Sequence, residues 1–316
     1  MRTLTSVFTA TLVAFSFCTA KDYSAQEIAD LFYQLNHTKI KPHAKINHSK
    51  GFCAKGVFEP VANATKIVNS EFLKQKSIPI EVRYSLGGAL DNDNSKGRGM
   101  AIKMQGDTES WTMVMLNAEI NFAKNAEEFG QFLEMRVPKD GKVDEAQIKK
   151  LTQEIDSFRN YEKYLQTMGI TKNVAYTPFF STHTFHFKDS KGNYFPARWR
   201  LEPTKVEYAN KQELETMGKD FLLENFKDSI KKAPIVYKMY LTYPNKNDRI
   251  DDTTALWKGK HKEVLLGNFK VDSLSDYECN FEVFFPSDLP SGISEPKDPL
   301  FQIRNEVYGI TFGFRN

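Results

Sequence analysis

The chain has 316 residues, 41% of them hydrophobic and 13% aromatic, enough for one large core or two modest ones. A net charge of +3, with 26% charged residues, shows neither an acidic nor a basic excess, so composition gives no argument for nucleic acid or a polyanionic surface. The 25 phenylalanines stand out. Phenylalanines build cores, and they also suit a planar apolar cofactor.

Residues 1–20 read as a secretory signal. Met1-Arg2 is a thin basic start, Leu12 to Cys18 is mostly apolar, and Cys18-Thr19-Ala20 offers a small-residue exit before Lys21. The apolar run is too short and too interrupted by Ser and Thr to span a membrane, and no other stretch comes close. The expectation is a soluble, exported, periplasmic protein. Export leaves Cys53 and Cys279. Two readings stay open for them, a disulfide or two separate buried thiols, and the second is preferred because the sequence does not fix their distance.

An amphipathic helix is predicted over Ser24–Leu35, with Ile28, Leu31, Phe32 and Leu35 on one stripe. Short strands follow at Gly56–Glu59, Ile80–Tyr84, Met100–Met104 and Trp111–Met115, separated by turn-rich segments such as Gly87-Gly88 and Asp91 to Gly99. Helices are predicted over Ala126–Met135 and, as one long element, Asp144–Met168. Strands return at His183–Phe187 and Tyr194–Leu201, then a helical stretch over residues 211–231, then strands at Ile235–Tyr243 and Leu265–Val271. The proline-bearing tail from Phe285 to Pro299 should wrap the surface before a last helix. Antiparallel strands with inserted helices give an α+β class with the sheet closing into a barrel.

Several constellations fail. Asp91-Asn-Asp93-Asn-Ser95 invites a calcium-loop reading, but Lys96 stands where glycine is needed and Ile102 where the bidentate glutamate is needed. His183 and His186 would lie on opposite faces of a strand, so they make no metal pair. There is no phosphate-cradling glycine pattern and no Gly-x-Ser-x-Gly elbow.

Near the C-terminus, Arg304 and Tyr308 share one face of a helix. A guanidinium beside a phenol favours the phenolate, a hard anionic oxygen suited to ferric haem. Taken alone, the pair is better read as a core tyrosine with a basic neighbour. Four further segments change its weight. They are Lys45-Ile-Asn-His48-Ser-Lys-Gly51, Val82-Arg83-Tyr84-Ser85, Arg98-Gly99-Met100-Ala101-Ile102-Lys103 and Ser181-Thr-His183-Thr-Phe-His186-Phe187. In order and spacing the set resembles the haem catalases, and most closely the minimal, catalase-related peroxidase branch that keeps the core alone. The resemblance covers roughly residues 21–316. It implies an antiparallel β-barrel core with inserted and flanking helices, without the C-terminal helical domain of full catalases.

The resemblance also implies a cofactor, haem b (iron protoporphyrin IX), and a role for each matching residue. His48 matches the distal histidine, which takes a proton from peroxide and returns it to the leaving oxygen. Ser85 matches the serine that orients this histidine. Lys45, Arg83 and Arg315 match cationic positions at the haem propionates and proximal side, with Lys45 standing where catalases usually carry arginine and so lacking the bidentate fork. Phe129 falls beside the substrate channel, Tyr308 at the proximal iron ligand, and Arg304 at its charge partner. Two departures stand out. The Asn-Asn pair of catalases reads Leu116-Asn117 here, so the catalytic asparagine's place is taken by Leu116 unless a one-residue shift returns Asn117 to the pocket. Asn47 replaces a small apolar residue beside His48 and offers a competing hydrogen-bonding group.

These matches lead to an expected haem peroxidase that reduces hydrogen peroxide or small organic hydroperoxides with an unidentified electron donor and has weak or no catalase activity. No nucleic acid or membrane span is implied, and a homo-oligomer is compatible with the reading. Alternatives are a catalase-like hydroperoxide lyase or synthase, a haem-binding protein without turnover, and a secreted ligand-binding domain without haem.

Overall fold

The regular alternation of buried and less buried residues along Ile78–Leu86 and Ser110–Leu116 shows how the sheet is built: one face meets a core, the other something else. The computed structural model describes residues 21–275 and 279–315; the expected signal at residues 1–20 lies outside them. In chain order the strands are β1 (Gly51–Pro60), β2 (Ile78–Leu86), β3 (Arg98–Gln105), β4 (Ser110–Leu116), β5 (Phe179–Phe180), β6 (Phe185–Lys188), β7 (Tyr194–Pro203), β8 (Ile235–Thr242), β9 (Glu263–Leu274) and β10 (Ile293–Ser294). The α-helices are α1 (Ala25–Asn36), α2 (Ala64–Ile67), α3 (Ala126–Glu134), α4 (Glu145–Glu154), α5 (Asp156–Thr167), α6 (Lys211–Thr216), α7 (Phe221–Ile230) and α8 (Leu300–Gly313).

The hydrogen-bonded order β7-β5-β4-β3-β2-β1-β9-β8 closes through a β7–β8 pairing, and β6 and β10 extend the sheet from the first half of β7. Every pairing is antiparallel. The α+β barrel expected from the sequence is the architecture observed. Inside the barrel lie Phe58, Val82, Tyr84, Ile102, Trp111, Met113, Trp199, Tyr237 and Phe269, all essentially without solvent contact. A second, smaller core lies between α1, α3 and α8, where Tyr23, Ile28, Phe32, Leu133 and Val307 meet. Ser24 caps α1 in a reciprocal box with Glu27.

The structure corrects the sequence reading in three places. The helix expected over Asp144–Met168 is two helices, because Ile155 adopts an extended conformation (φ −92°, ψ 118°) between them. The stretch 211–231 likewise divides at Met217, where the backbone is extended (ψ 134°). Cys53 and Cys279 form a disulfide across 226 residues of sequence, which overturns the preference for separate thiols. Among the described residues no helix is long and apolar enough to cross a membrane.

Candidate active site

A cavity of about 690 Å³ lies between the outer face of the barrel and the helix cluster α1–α3–α8. That is within the usual span of small-molecule sites, roughly 300–1,000 Å³. All nine residues singled out from the sequence line it: Lys45, His48, Arg83, Ser85, Asn117, Phe129, Arg304, Tyr308 and Arg315.

The barrel wall follows from strand register. Gly51 pairs with Ser85, Ser85 with Gly99, and Gly99 with Leu116, one rung across four strands. The next rung is Cys53, Arg83, Ala101 and Val114. Because Tyr84, Met100 and Met115 point into the barrel, both rungs face outward into the cavity. Upon this wall sits His48, the residue preceding Ser49 and Lys50 at the entrance to β1. Its backbone is left-handed (φ 53°), which for a non-glycine residue costs on the order of 1 kcal/mol. Arg83 Nη2 donates to the His48 carbonyl (2.8 Å), and the Ser49 amide donates to the Gly88 carbonyl (3.1 Å), so the turn is held from both sides.

The His48 ring meets Ser85 Oγ through Nδ1 at 3.1 Å. It lies so close to the sheet that a Cβ on Gly99 would stand 2.8 Å from Ser85 Oγ and 3.0 Å from two ring atoms. Glycine is required there by a close approach, not by a turn. Burial, then the charges of Arg83 and Arg304, push the His48 pKa down to about 4, leaving the imidazole neutral at neutral pH. Asn47 lines the cavity beside it and, among the described residues, makes no hydrogen bond with His48.

The ladder settles the register of Leu116 and Asn117. The β3–β4 pairing runs without a bulge to Gly99↔Leu116, so Leu116 occupies the outward rung beside His48. The Asn117 side chain is spent on backbone: Oδ1 accepts from the Arg98 amide and Nδ2 donates to the Lys96 carbonyl, both at 2.8 Å.

Opposite the wall, α8 carries Arg304 and Tyr308, with Arg304 Nη2 donating to Tyr308 Oη at 3.3 Å. The start of α8 is seated by Asp298, whose Oδ1 accepts from the Leu300 amide (3.2 Å) and whose Oδ2 meets buried His183 Nδ1 (2.8 Å). His183 precedes β6 instead of belonging to it, and it is Asp298, 115 residues away, that holds it. Burial lowers the pKa of His183, against the raising effect of Asp298. Sequence reasoning missed this pair; an aspartate just before the last helix, beside a proline, was its one local signal. His183 Nε2 is buried with no hydrogen-bond partner among the described residues.

The three basic residues converge on segment 279–284. Lys45 Nζ donates to the Glu282 carbonyl, Arg315 Nη1 to the Asn280 and Glu282 carbonyls (3.3 and 3.2 Å), and Arg83 Nε to Asn280 Oδ1 (2.8 Å). Burial, with the charges of Arg315 and Arg83, pushes the Lys45 pKa down to about 6. Arg315 Nε is buried and without a hydrogen-bond partner among the described residues. A cluster of basic groups, with a spare Arg315 donor and a Lys45 that an anion would recharge, fits the acidic edge of a planar cofactor, and a neutral imidazole and a phenol lining one apolar cavity fit its two faces.

Comparison with known proteins agrees with this geometry. A family model described as catalase matches residues 20–315. A catalase-related peroxidase from Synechococcus elongatus is 25% identical over 279 residues, covering 85% of this chain and 82% of its own length. A catalase from Schizosaccharomyces pombe is 24% identical over 320 residues, 91% of this chain but 60% of the relative. Among solved structures, a fungal catalase superposes with a TM-score of 0.76 at 18% identity over 85% of this chain and 58% of its own, and catalase A from Saccharomyces cerevisiae with a TM-score of 0.76 at 16% identity.

Proposed function

The chain belongs to the catalase family, and from that premise we propose that it is a haem b peroxidase, reducing hydrogen peroxide or small organic hydroperoxides at the expense of an external donor. The observation that carries the reading is a single cavity lined by His48, backed by Ser85 and Gly99, and by Tyr308 beside Arg304. Tyr308 would be the iron ligand, Arg304 its charge partner, and Lys45, Arg83 and Arg315 the holders of the propionates. Phe129 and its neighbours Phe122 and Phe32, with ring centroids 4.8 and 5.9 Å away, would bound an apolar approach.

When bound, haem supplies a redox-active iron that can break the peroxide O–O bond and hold oxidising equivalents for the donor. The chain's own part is proton handling. With Nδ1 engaged by Ser85, Nε2 of His48 is the atom left to take the peroxide proton and pass it to the departing oxygen, which leaves as water or alcohol. The low pKa keeps this nitrogen ready as a base at neutral pH.

Disproportionation needs a second peroxide held and oriented, and here Leu116 stands on the rung where a hydrogen-bonding side chain would help while the amide of Asn117 is tied to Lys96 and Arg98. This supports weak oxygen evolution beside ready donor oxidation. The chain spans about 60% of the full catalases it matches, so their activity is not carried over whole. We further place the protein outside the cytoplasm, beginning near Lys21; the disulfide supports an oxidising compartment.

The test is reconstitution with haem. A Soret band with high-spin ferric tyrosinate features is expected, lost or changed in Tyr308→Phe, with donor oxidation exceeding oxygen evolution. Leu116→Asn should raise oxygen evolution relative to donor oxidation. Absence of a Soret band would sink the haem assignment, and oxygen evolution by the wild type at rates typical of full catalases would sink the peroxidase one.

A further inference from the structure

The segment 279–284 ties the candidate site to the barrel. It starts at Cys279, joined to Cys53 of β1, and Cys53 shares its outward rung with Arg83. Within it, Asn280 and Glu282 supply oxygen acceptors to Arg83, Lys45 and Arg315 together. Val283 and Phe284 line the cavity, and Phe284 packs against the two cysteines. Basic groups held this close disfavour one another's charge, as the lowered Lys45 pKa shows, and what fixes their positions is a strap whose covalent anchor is the disulfide.

Resting on the reading of the cavity as a haem site, we propose that the Cys53–Cys279 disulfide makes cofactor retention conditional on oxidation. Until it forms, the strap is held to the barrel by weaker contacts, and Lys45, Arg83 and Arg315 lack a fixed common frame for the acidic edge of the cofactor. Formation takes two electrons and two protons from the paired thiols through exchange with a disulfide oxidant, which leaves as a dithiol; a dithiol donor reverses it. Both cysteines are buried, so the strap must lift before exchange. The haem site is thus completed where disulfides are made.

The experiment uses haem-loaded protein, oxidised or reduced with a phosphine, with thiols counted and haem release to excess apomyoglobin followed at the Soret band. Reduction should speed release by about tenfold or more, as for loss of one charge-assisted hydrogen bond, and reoxidation should restore it. Hydrogen exchange at residues 279–284 should rise on reduction while β2 and β3 stay protected, and Cys53→Ser/Cys279→Ser should behave as the reduced form. Equal release from both folded forms would overturn the inference and leave the haem site standing. Loss of the barrel's far-ultraviolet signal on reduction would also overturn it, because the disulfide would then hold the fold and not the strap. No Soret band in either form would overturn both readings.

Discussion

The two walls of the cavity are made by different means. On the barrel side, Ser85, Gly99 and Leu116 sit on consecutive strands fixed by the backbone ladder, and His48, just before β1, is held against them by Ser85 and by the Arg83 contact to its carbonyl. On the helical side, α8 is packed on α1 through Ile303, Val307 and Ile310 and tied at its start by Asp298 and His183, but its cavity-facing Arg304 and Tyr308 share one contact of 3.3 Å. Short side chains locked on a sheet by close packing are placed without a ligand, whereas long side chains with one contact between them are left to be set by what they bind. The barrel wall should therefore be ready before the cofactor arrives, and the helical wall completed by it.

The deepest cut into that contrast is His48→Ala. It removes both base and acid from the wall, and peroxide reduction should fall about 10²–10⁴-fold while haem is retained. Stopped-flow kinetics with matched Soret spectra would check this, and loss of haem along with activity would mean the wall depends on the cofactor after all. Next comes the helical anchor. Asp298→Ala leaves His183 buried without its partner, which should lower stability by about 1–3 kcal/mol in urea unfolding and loosen haem, with the unloaded His48 ring unmoved in NMR.

That anchor shows where sequence reading ended. Strands were legible from their cores, Ile80–Tyr84 or Trp111–Met115, because period-two burial is local; their flanks were missed because outward-facing Ser85, Gly99 and Leu116 look like loop residues. The cavity residues were legible only as a set, through the resemblance. The His183–Asp298 pair and the Cys53–Cys279 bridge join residues more than a hundred positions apart, and no local pattern encodes either distance. Ile155, an apolar residue inside an otherwise helical run, gave no sign of the extended backbone that breaks it.

A smaller perturbation sharpens the comparison from the wall itself. Gly99→Ala puts a methyl group against Ser85 and the His48 ring, so peroxide reduction should drop about tenfold with haem affinity nearly unchanged. If activity survives intact, the ring has room that the close approach denies. A last effect concerns pH in the cofactor-free protein. His48 titrates near 4 in the fold and near 6.5 when unfolded, so as pH falls between those values the unfolded chain takes up the proton first. Its contribution is full above about pH 6.5 and is lost towards pH 4. Urea midpoints at pH 7 and pH 4.5 should differ less in His48→Gln than in the wild type.

The long span between the paired cysteines has a consequence for proteolysis. Residues 138–147, running from the α3–α4 connection into the first turn of α4, form a continuous exposed stretch with Asp140 and Gly141 in the left-handed region. A protease nick there falls inside the loop that Cys53 and Cys279 close. The two fragments would stay covalently joined, migrating as one species without reductant and as two with it, and the cavity would keep residues from both pieces. Damage to the chain at this exposed turn thus leaves the site assembled for as long as the environment stays oxidising.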